Sequence, residues 1–393
     1  MNEVSQLQPK AKYDPYLNWF LALFCILLPF EEALAGSFGS VVKLVGLGIM
    51  AYAVFTYKKI IIRRISWLLI AWLLIAAATV FGAVSFELWS HYFMMYASQV
   101  AFLLVVVGVP AGKVNLQTFR RGLRIGALAA ALIIILMPQT SDMDTEGRRT
   151  IILFGREFDP NVVSAIIILG VSSCMEELFD AQNRRKQGFF FLEILVLLLG
   201  IFFTGSRGGL ISACVTGAVT LYMAAKDRKN QNTIRKFVVI GALIIIAAIP
   251  FLPTNLLEGR FSADTIFGQN EWEKGAHNRY SIWLSALKLI PERPFFGHGV
   301  GNFYQIIRTV YFRKCAAHNL YILLIVETGV VGFLLFFAFM ISLFIRLRRQ
   351  RMPSVFGVLC GMLVMSMTLD SLMFKFFWVA LLWAMLALKE QEQ

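Results

Sequence analysis

The chain has 393 residues, 58% of them hydrophobic and 16% charged, and its mean hydropathy is +0.69. So much apolar surface excludes an ordinary soluble domain and points to a polytopic membrane protein. The formal net charge of +13 is no nucleic-acid signal, because the basic residues gather in short clusters between long apolar runs instead of forming one stripe.

In chain order, the first fifteen residues are polar and carry no cleavable signal pattern, so "YLNWFLALFCILLPF" is read as a retained first span. Apolar runs long enough to cross a bilayer then recur to the C-terminus. They predict twelve spans at 16–34, 39–57, 66–84, 91–110, 122–138, 160–180, 188–205, 208–226, 237–253, 318–343, 354–371 and 376–389. Twelve crossings put the clusters "KKIIIRR", "FRRGLR", "NRRK", "KDRKNQNTIRK" and "RLRRQRM" on one side, with both termini. That is the cytoplasmic side by the positive-inside rule. An eleven-span threading would split the clusters. The expected fold is all-α: about twelve transmembrane helices in a single domain over 1–393.

Most outer loops are tiny, but residues 139–159 and 254–317 are not. The second is the large extracytoplasmic loop between spans nine and ten, and loops of that length are commonly functional. It holds "HNRYSIWLSALKLI", where Tyr280, Trp283, Leu284 and Leu287 recur at helical spacing and predict an amphipathic helix along the outer surface. The turn signals "PERPF" and "GHGVGN" follow. The five cysteines form no CxxC or paired spacing, which argues against a disulfide framework or a zinc site.

Arginines on the outer side run against the charge rule. Arg207 stands in "TGSRGGL", between glycines that permit a tight turn and beside the N-terminus of the next span, a favourable place for an anion. It is either a phosphate ligand or an arginine snorkelling at a turn. Arg279 lies one helical turn before Trp283, and a membrane anchor is the plain alternative there. With Arg148, Arg149 and Arg156 in one loop and Arg260, Arg293, Arg308 and Arg313 in the other, the outer vestibule is basic. A phosphate or pyrophosphate head group would suit it, because guanidinium binds phosphate oxygens in bidentate fashion.

The histidines are His91, His277, His298 and His318. His91 reads as a polar anchor and His298 as an exposed turn residue. His318 occupies the N-terminal turn of a span, where the helix dipole and nearby arginines favour a neutral imidazole able to accept a proton. Glu327 is nine residues on, half a turn out of phase and about 13 Å deeper along a helix. It is expected to pack against another span and not to orient His318. Asp142, Asp144 and Glu146 resemble the start of a calcium loop, but Leu153 takes the position of the closing glutamate. Glu31 and Glu32 suit either a divalent ion or the charged end of a span. No HExxH or GxxxxGK[ST] motif is present, and no metal or cofactor is expected.

Taken together, "TGSRGGL", "NRYSIWLSALKLIPERPFFGHGVGNF" and "AHNLYILLIVETGVVG" resemble the signature region of the O-antigen ligase and O-antigen polymerase superfamily, over about residues 200–345. "FDPN" ahead of span six recurs there as well. The resemblance implies a metal-independent, inverting glycosyltransferase of the GT-C type in the bacterial cytoplasmic membrane, acting on its outer face. The implied donor is a glycan on undecaprenyl pyrophosphate. The acceptor is a lipid A core or other surface hydroxyl for a ligase, or a second lipid-linked repeat for a polymerase. Residue by residue, it makes His318 the base and gives Arg207 and Arg279 the pyrophosphate. Asn319, beside His318, and Arg260, in the basic outer loop, are further substrate-binding candidates on their position alone. A polytopic transporter or flippase of lipid-linked glycans is the rival reading. It is weakened by the lack of corresponding Gly/Pro-broken spans in the two halves. A structural scaffold leaves the outer arginines unexplained.

Overall fold

A computed structural model describes residues 13–32, 34–36, 39–137, 139–140, 148–248, 279–311 and 313–391. Among these residues there are fourteen α-helices. In order they are α1 (Pro15–Leu27), α2 (Val41–Tyr57), α3 (Ser66–Ala78), α4 (Phe86–Gly108), α5 (Leu116–Leu136), α6 (Pro160–Asp180) and α7 (Arg184–Phe203). Then come α8 (Arg207–Ala224), α9 (Arg228–Ala248), α10 (Arg279–Leu287), α11 (Phe303–Tyr311), α12 (Leu320–Arg349), α13 (Pro353–Met365) and α14 (Lys375–Gln391). Three two-residue hairpins, β1–β2 at 35–40, β3–β4 at 139–150 and β5–β6 at 152–157, are the only strands described.

Each predicted apolar segment overlaps one helix, with ends that differ by up to about ten residues and with 249–253 outside the described residues; α10 and α11 are the additional two and belong to the large loop. Phe86–Gly108, Pro160–Asp180, Arg184–Phe203 and Leu320–Arg349 are long and apolar enough to cross a membrane. Pro15–Phe30, Val41–Tyr57, Ser66–Gly82 and Pro353–Met365 are apolar but shorter.

Local sequence sets many of the helix starts. Asp14, Ser40, Ser85, Asn115, Asp159, Asn183, Ser206 and Asn319 each stand one residue before a helix and accept its first free N–H groups with a side-chain oxygen. In the bundle α6 is central, buried along most of its length, and packs against α5, α7, α8 and α13. The other centre is α14, whose residues 375–389 are all buried. Trp72 of α3 joins these parts through rings of Phe336 at 5.4 Å, Tyr96 at 5.8 Å and Trp378 at 6.3 Å.

The closest helix pair is α8 with α13. Gly357 and Gly361 form a GxxxG step on α13, and a Cβ on either would lie 2.8 Å from a carbonyl oxygen of α8, that of Thr216 or Ser212 respectively. Side chains of Thr216 and Thr220 fill the same seam, so the two backbones touch over several turns, as small residues permit within a membrane.

α12 is broken inside. Gly329 has φ 64° and ψ −174°, so the helix stops after Thr328 and restarts at Val330. Backbone groups freed there are taken by the segment between α10 and α11. His298 and Gly299 donate N–H groups to the carbonyls of Val326 and Glu327, at 2.9 and 3.0 Å, and Val330 donates to Pro294 at 2.8 Å. Non-helical backbone at that depth is tolerated because it is enclosed by protein. Two expectations change as a result. His298 is 3% exposed, with Nε2 2.9 Å from the carbonyl of Leu289, and is no surface residue. Glu327 spends its carboxylate on the loop: it accepts the Phe303 N–H at 3.1 Å and so holds the inserted segment. The segment could not be read from "PERPF" and "GHGVGN" as more than a turn, because its partners lie on a distant helix.

A Cβ at position 329 would stand 2.6 Å from the Phe296 nitrogen and would sit on a left-handed backbone. Gly329→Ala is therefore expected to lower the thermal unfolding midpoint of the detergent-solubilised protein, by strain of at least about 1–3 kcal/mol. Gly217→Ala, with nothing within 4 Å of the added methyl, is the matched control and should leave the midpoint unchanged or raise it.

Candidate active site

The ends of α7 and α13 and the starts of α6, α8, α10 and α12 meet around the connector Ser366–Phe374. His318 precedes the cap of α12, outside the helix, with a left-handed φ of 47°. That is costly for a residue with a Cβ. Asp370 holds it there. Its two carboxylate oxygens accept the N–H groups of His318, at 3.2 Å, and of Asn319, at 2.9 Å. Leu320 N–H donates to the Ser366 carbonyl at 2.8 Å, closing the tie. Asn319 is buried, and its Oδ1 accepts from Tyr321 and Ile322 N–H at 3.0 and 3.2 Å. Its carbonyl oxygen is thus committed to starting the helix that presents His318.

Arg279 opens α10 and donates through Nη1 to the Thr368 carbonyl at 3.3 Å. The same threonine faces the turn before α8: a Cβ on Gly208 would lie 2.5 Å from Thr368 Oγ1. Arg207, next to it, is the first residue of α8 and half-buried. Its turn is fixed from behind. Ser206 accepts the Gly209 N–H at 2.9 Å and donates to Asn161 Oδ1 at 2.7 Å. Arg148 donates to the same oxygen at 3.1 Å and to the Thr204 carbonyl at 3.2 Å. Arg207, Arg279 and His318 come from three distant parts of the chain and share this one connector. Arg260, His277, Asp142, Asp144 and Glu146 lie outside the described residues.

The vestibule is mixed in charge, not purely basic. Burial, then the Arg279 guanidinium, hold the His318 imidazole below its ordinary pKa of 6.5, while Asp370 and Asp159 pull weakly the other way. The imidazole is therefore neutral at pH 7 and can accept a proton. Burial pushes the Asp370 carboxyl up, opposed by its N–H donors, His318 and Arg279. Of the remaining candidates, Glu31 is ion-paired with Lys375, and the Glu32 carbonyl accepts from Arg156 at 3.3 Å. Arg149 stacks 4.0 Å over the Phe203 ring, and His91 is exposed beside Tyr92. None of these four reaches the His318 cluster directly.

Trp283 Nε1 donates to the Ala317 carbonyl at 2.9 Å, so the loop helix α10 is tied to the residue preceding His318. Ile282 and Ala286 form its buried face, while Tyr280, Leu284 and Leu287 remain exposed. That exposed apolar side agrees with a helix lying at a membrane surface.

Residues 192–337 match the sequence profile of the O-antigen ligase family. Over that stretch, somewhat more than a third of its length, the chain is similar to the O-antigen ligase family. An O-antigen ligase of Pseudomonas aeruginosa is 28% identical over 145 residues, covering 37% of this chain and 31% of that protein. An uncharacterized protein of Haemophilus influenzae is 25% identical over 172 residues, covering 40% of this chain and 42% of the other. The aligned stretch thus spans less than half the length of each relative.

The O-antigen ligase segment contains Arg207, Arg279, His318 and Asn319 and ends before Thr368 and Asp370. Those two were missed in the sequence. The available signal was an acidic residue closing an apolar run, "MTLDSL", where ionisable groups are functional candidates. Arg148 was noticed only as one of several basic residues, because its partners Thr204 and Asn161 belong to the end of α7 and the start of α6, whose meeting no local pattern encodes.

With Arg279 among the influences that depress His318, its removal has a definite sign. Arg279→Gln should move the His318 titration midpoint upward, toward 6.5. NMR of ring-¹⁵N-labelled histidine can follow this, since the chain has 4 histidines. An unmoved midpoint would place Arg279 outside electrostatic reach of the imidazole.

Proposed function

We propose that the protein is a glycosyltransferase that moves a glycan from undecaprenyl pyrophosphate to an acceptor hydroxyl. In this reading it is a twelve-span GT-C protein of the bacterial cytoplasmic membrane, a single domain over 1–393 with the 254–317 loop on the outer face. The reading is supported most by the meeting of His318, Arg279 and the Arg207 turn around Thr368 and Asp370, at the end of the bundle away from the basic clusters.

His318 removes the proton of the acceptor hydroxyl. The hydroxyl oxygen attacks the anomeric carbon from the face opposite the leaving group, the bond from that carbon to the pyrophosphate oxygen breaks, and configuration inverts. The charge that builds on the departing pyrophosphate is stabilised by Arg207 and Arg279, which fixed neighbours already hold in place. Pyrophosphate is a good leaving group, so base and guanidinium groups suffice without a metal. Asn319 serves by capping the helix behind His318, and Asp370 by fixing the His318 backbone. Arg260 is proposed as a further contact to the donor. The acceptor is a lipid A core sugar or other surface hydroxyl, or the end of another lipid-linked repeat; the name of the Pseudomonas relative favours the first.

Purified His318→Ala, with an unchanged unfolding midpoint, should lose about 10²–10⁴ of the transfer rate from an undecaprenyl-pyrophosphate glycan in the presence of a chelator. Wild-type turnover by this variant would remove His318 from the base role. Offering a lipid A core and a second lipid-linked repeat in parallel assays separates ligase from polymerase.

A further inference from the structure

A cavity of about 360 Å³ lies between α2 and α4, at the same end of the bundle as His318, with α1 and the start of α14 behind it. One end of it is polar. Lys43 of α2, Ser98 and Gln99 of α4, and the ion pair of Glu31 with Lys375 stand there. The other end is apolar and is formed by Phe24, Met50 and Phe102. A Cβ on Gly46, one turn deeper than Lys43, would lie 3.4 and 3.9 Å from the Phe24 and Phe102 rings, which sets those rings beneath the polar end. Leu47 and Met94, 55% and 64% exposed, leave the gap between the two helices open to the side.

Gln99 decides what the cavity can hold. It is 8% exposed and lines the space, yet its amide makes no hydrogen bond to any described residue. A buried amide without a partner is costly and calls for a group that completes it. Lys43 has no ion pair among the described residues either. A phosphate would find donors in the two lysines but would also meet the Glu31 carboxylate. Hydroxyl groups donate to Glu31 and to the Gln99 carbonyl oxygen, and accept from Lys43 and the Gln99 amide N–H groups, so a sugar uses them all. The apolar end, with its adaptable methionine, suits a hydrocarbon chain. The cavity also adjoins the candidate active site. Met373 in its wall follows Asp370 by three residues, at most about 11 Å of chain, and Asp370 holds the His318 backbone.

We propose that this cavity seats the acceptor, a sugar-headed lipid, with its hydroxyls on Gln99 and Lys43 and a hydrocarbon chain over Phe24 and Phe102. The inference rests on the transferase reading above. Donor and acceptor then have separate seats along one connector, with Thr368 beside the arginines and Met373 beside the acceptor.

Gln99→Leu takes no hydrogen bond from the empty protein, so its unfolding midpoint should stay the same or rise. Native mass spectrometry of the purified full-length protein then counts bound lipids. For a ligase, adducts of a lipid A core should fall about tenfold in Gln99→Leu and by less in the exposed change Lys43→Gln, while a single adduct of the undecaprenyl-pyrophosphate glycan persists. For a polymerase, that glycan should bind in two copies to the wild type and in one to Gln99→Leu. Adducts unchanged in both variants, or no second lipid on the wild type, overturn the proposal. Loss of the glycan's single adduct in Gln99→Leu also overturns it, by making the cavity the donor's seat. Unchanged adducts together with normal transfer would leave the transferase reading standing. Adducts lost in Gln99→Leu, with no transfer by the wild type, would keep the sugar-lipid site and sink that reading instead.

Discussion

The close approach of α8 and α13 is the contact on which the site depends. Gly357 and Gly361 carry no side chain to hold the helices apart, and Thr216 and Thr220 fill the space that remains. Within a membrane, lipid tails solvate apolar side chains as well as a neighbour does, so helices are held together by close packing and not by exclusion from water. Because the pair runs antiparallel and in contact, the start of α8 comes to lie beside the end of α13. Arg207 and Gly208 arrive next to Thr368, and the connector that follows brings Asp370 under His318. Widening the seam by one side chain would separate the arginine turn from the connector.

Much of the bundle was legible in the chain because the relevant forces act over short sequence distances. Apolar runs, capping residues such as Ser206 and Asn319, and basic clusters between runs are local signals, and each predicted apolar segment overlaps a helix. Helix ends were less legible: the run 354–371 yields a helix only to Met365, and the remainder becomes the connector that organises the site. Asp370 was therefore hidden inside what reads as a span. The candidates Arg207, Arg279 and His318 were visible as unusual outer residues, but their meeting depends on helix contacts that no local pattern encodes. His298 and Glu327 illustrate the same limit, for the partners of both belong to segments tens of residues away.

The loop between α9 and α12 also changes in character once its contacts are known. Its described part, residues 279–311, carries its own small core of Ile282, Ala286, Leu289, Phe303 and Ile307, packed on Leu323 and Val326 of α12. It supplies Arg279 from one end and returns to His318 at the other. Trp283 fixes its first helix to Ala317, while Glu327 fixes its second to α12. The loop is a wall of the site, and the O-antigen ligase segment includes both this wall and the helix it docks on.

The break at Gly329 makes α12 two rods joined end to end. The short one, Leu320 to Thr328, is clamped at its start by Asp370 and at its end by the inserted loop. The long one runs on to the basic residues at the other face. The start of the long rod is tied to the same loop, since the Val330 and Val331 N–H groups donate to the carbonyls of Pro294 and Phe295 at 2.8 and 3.3 Å. The histidine is thereby referenced to the outer loop and its connector, as a tool is mounted on a fixed bench and not on the shaft that passes beneath it.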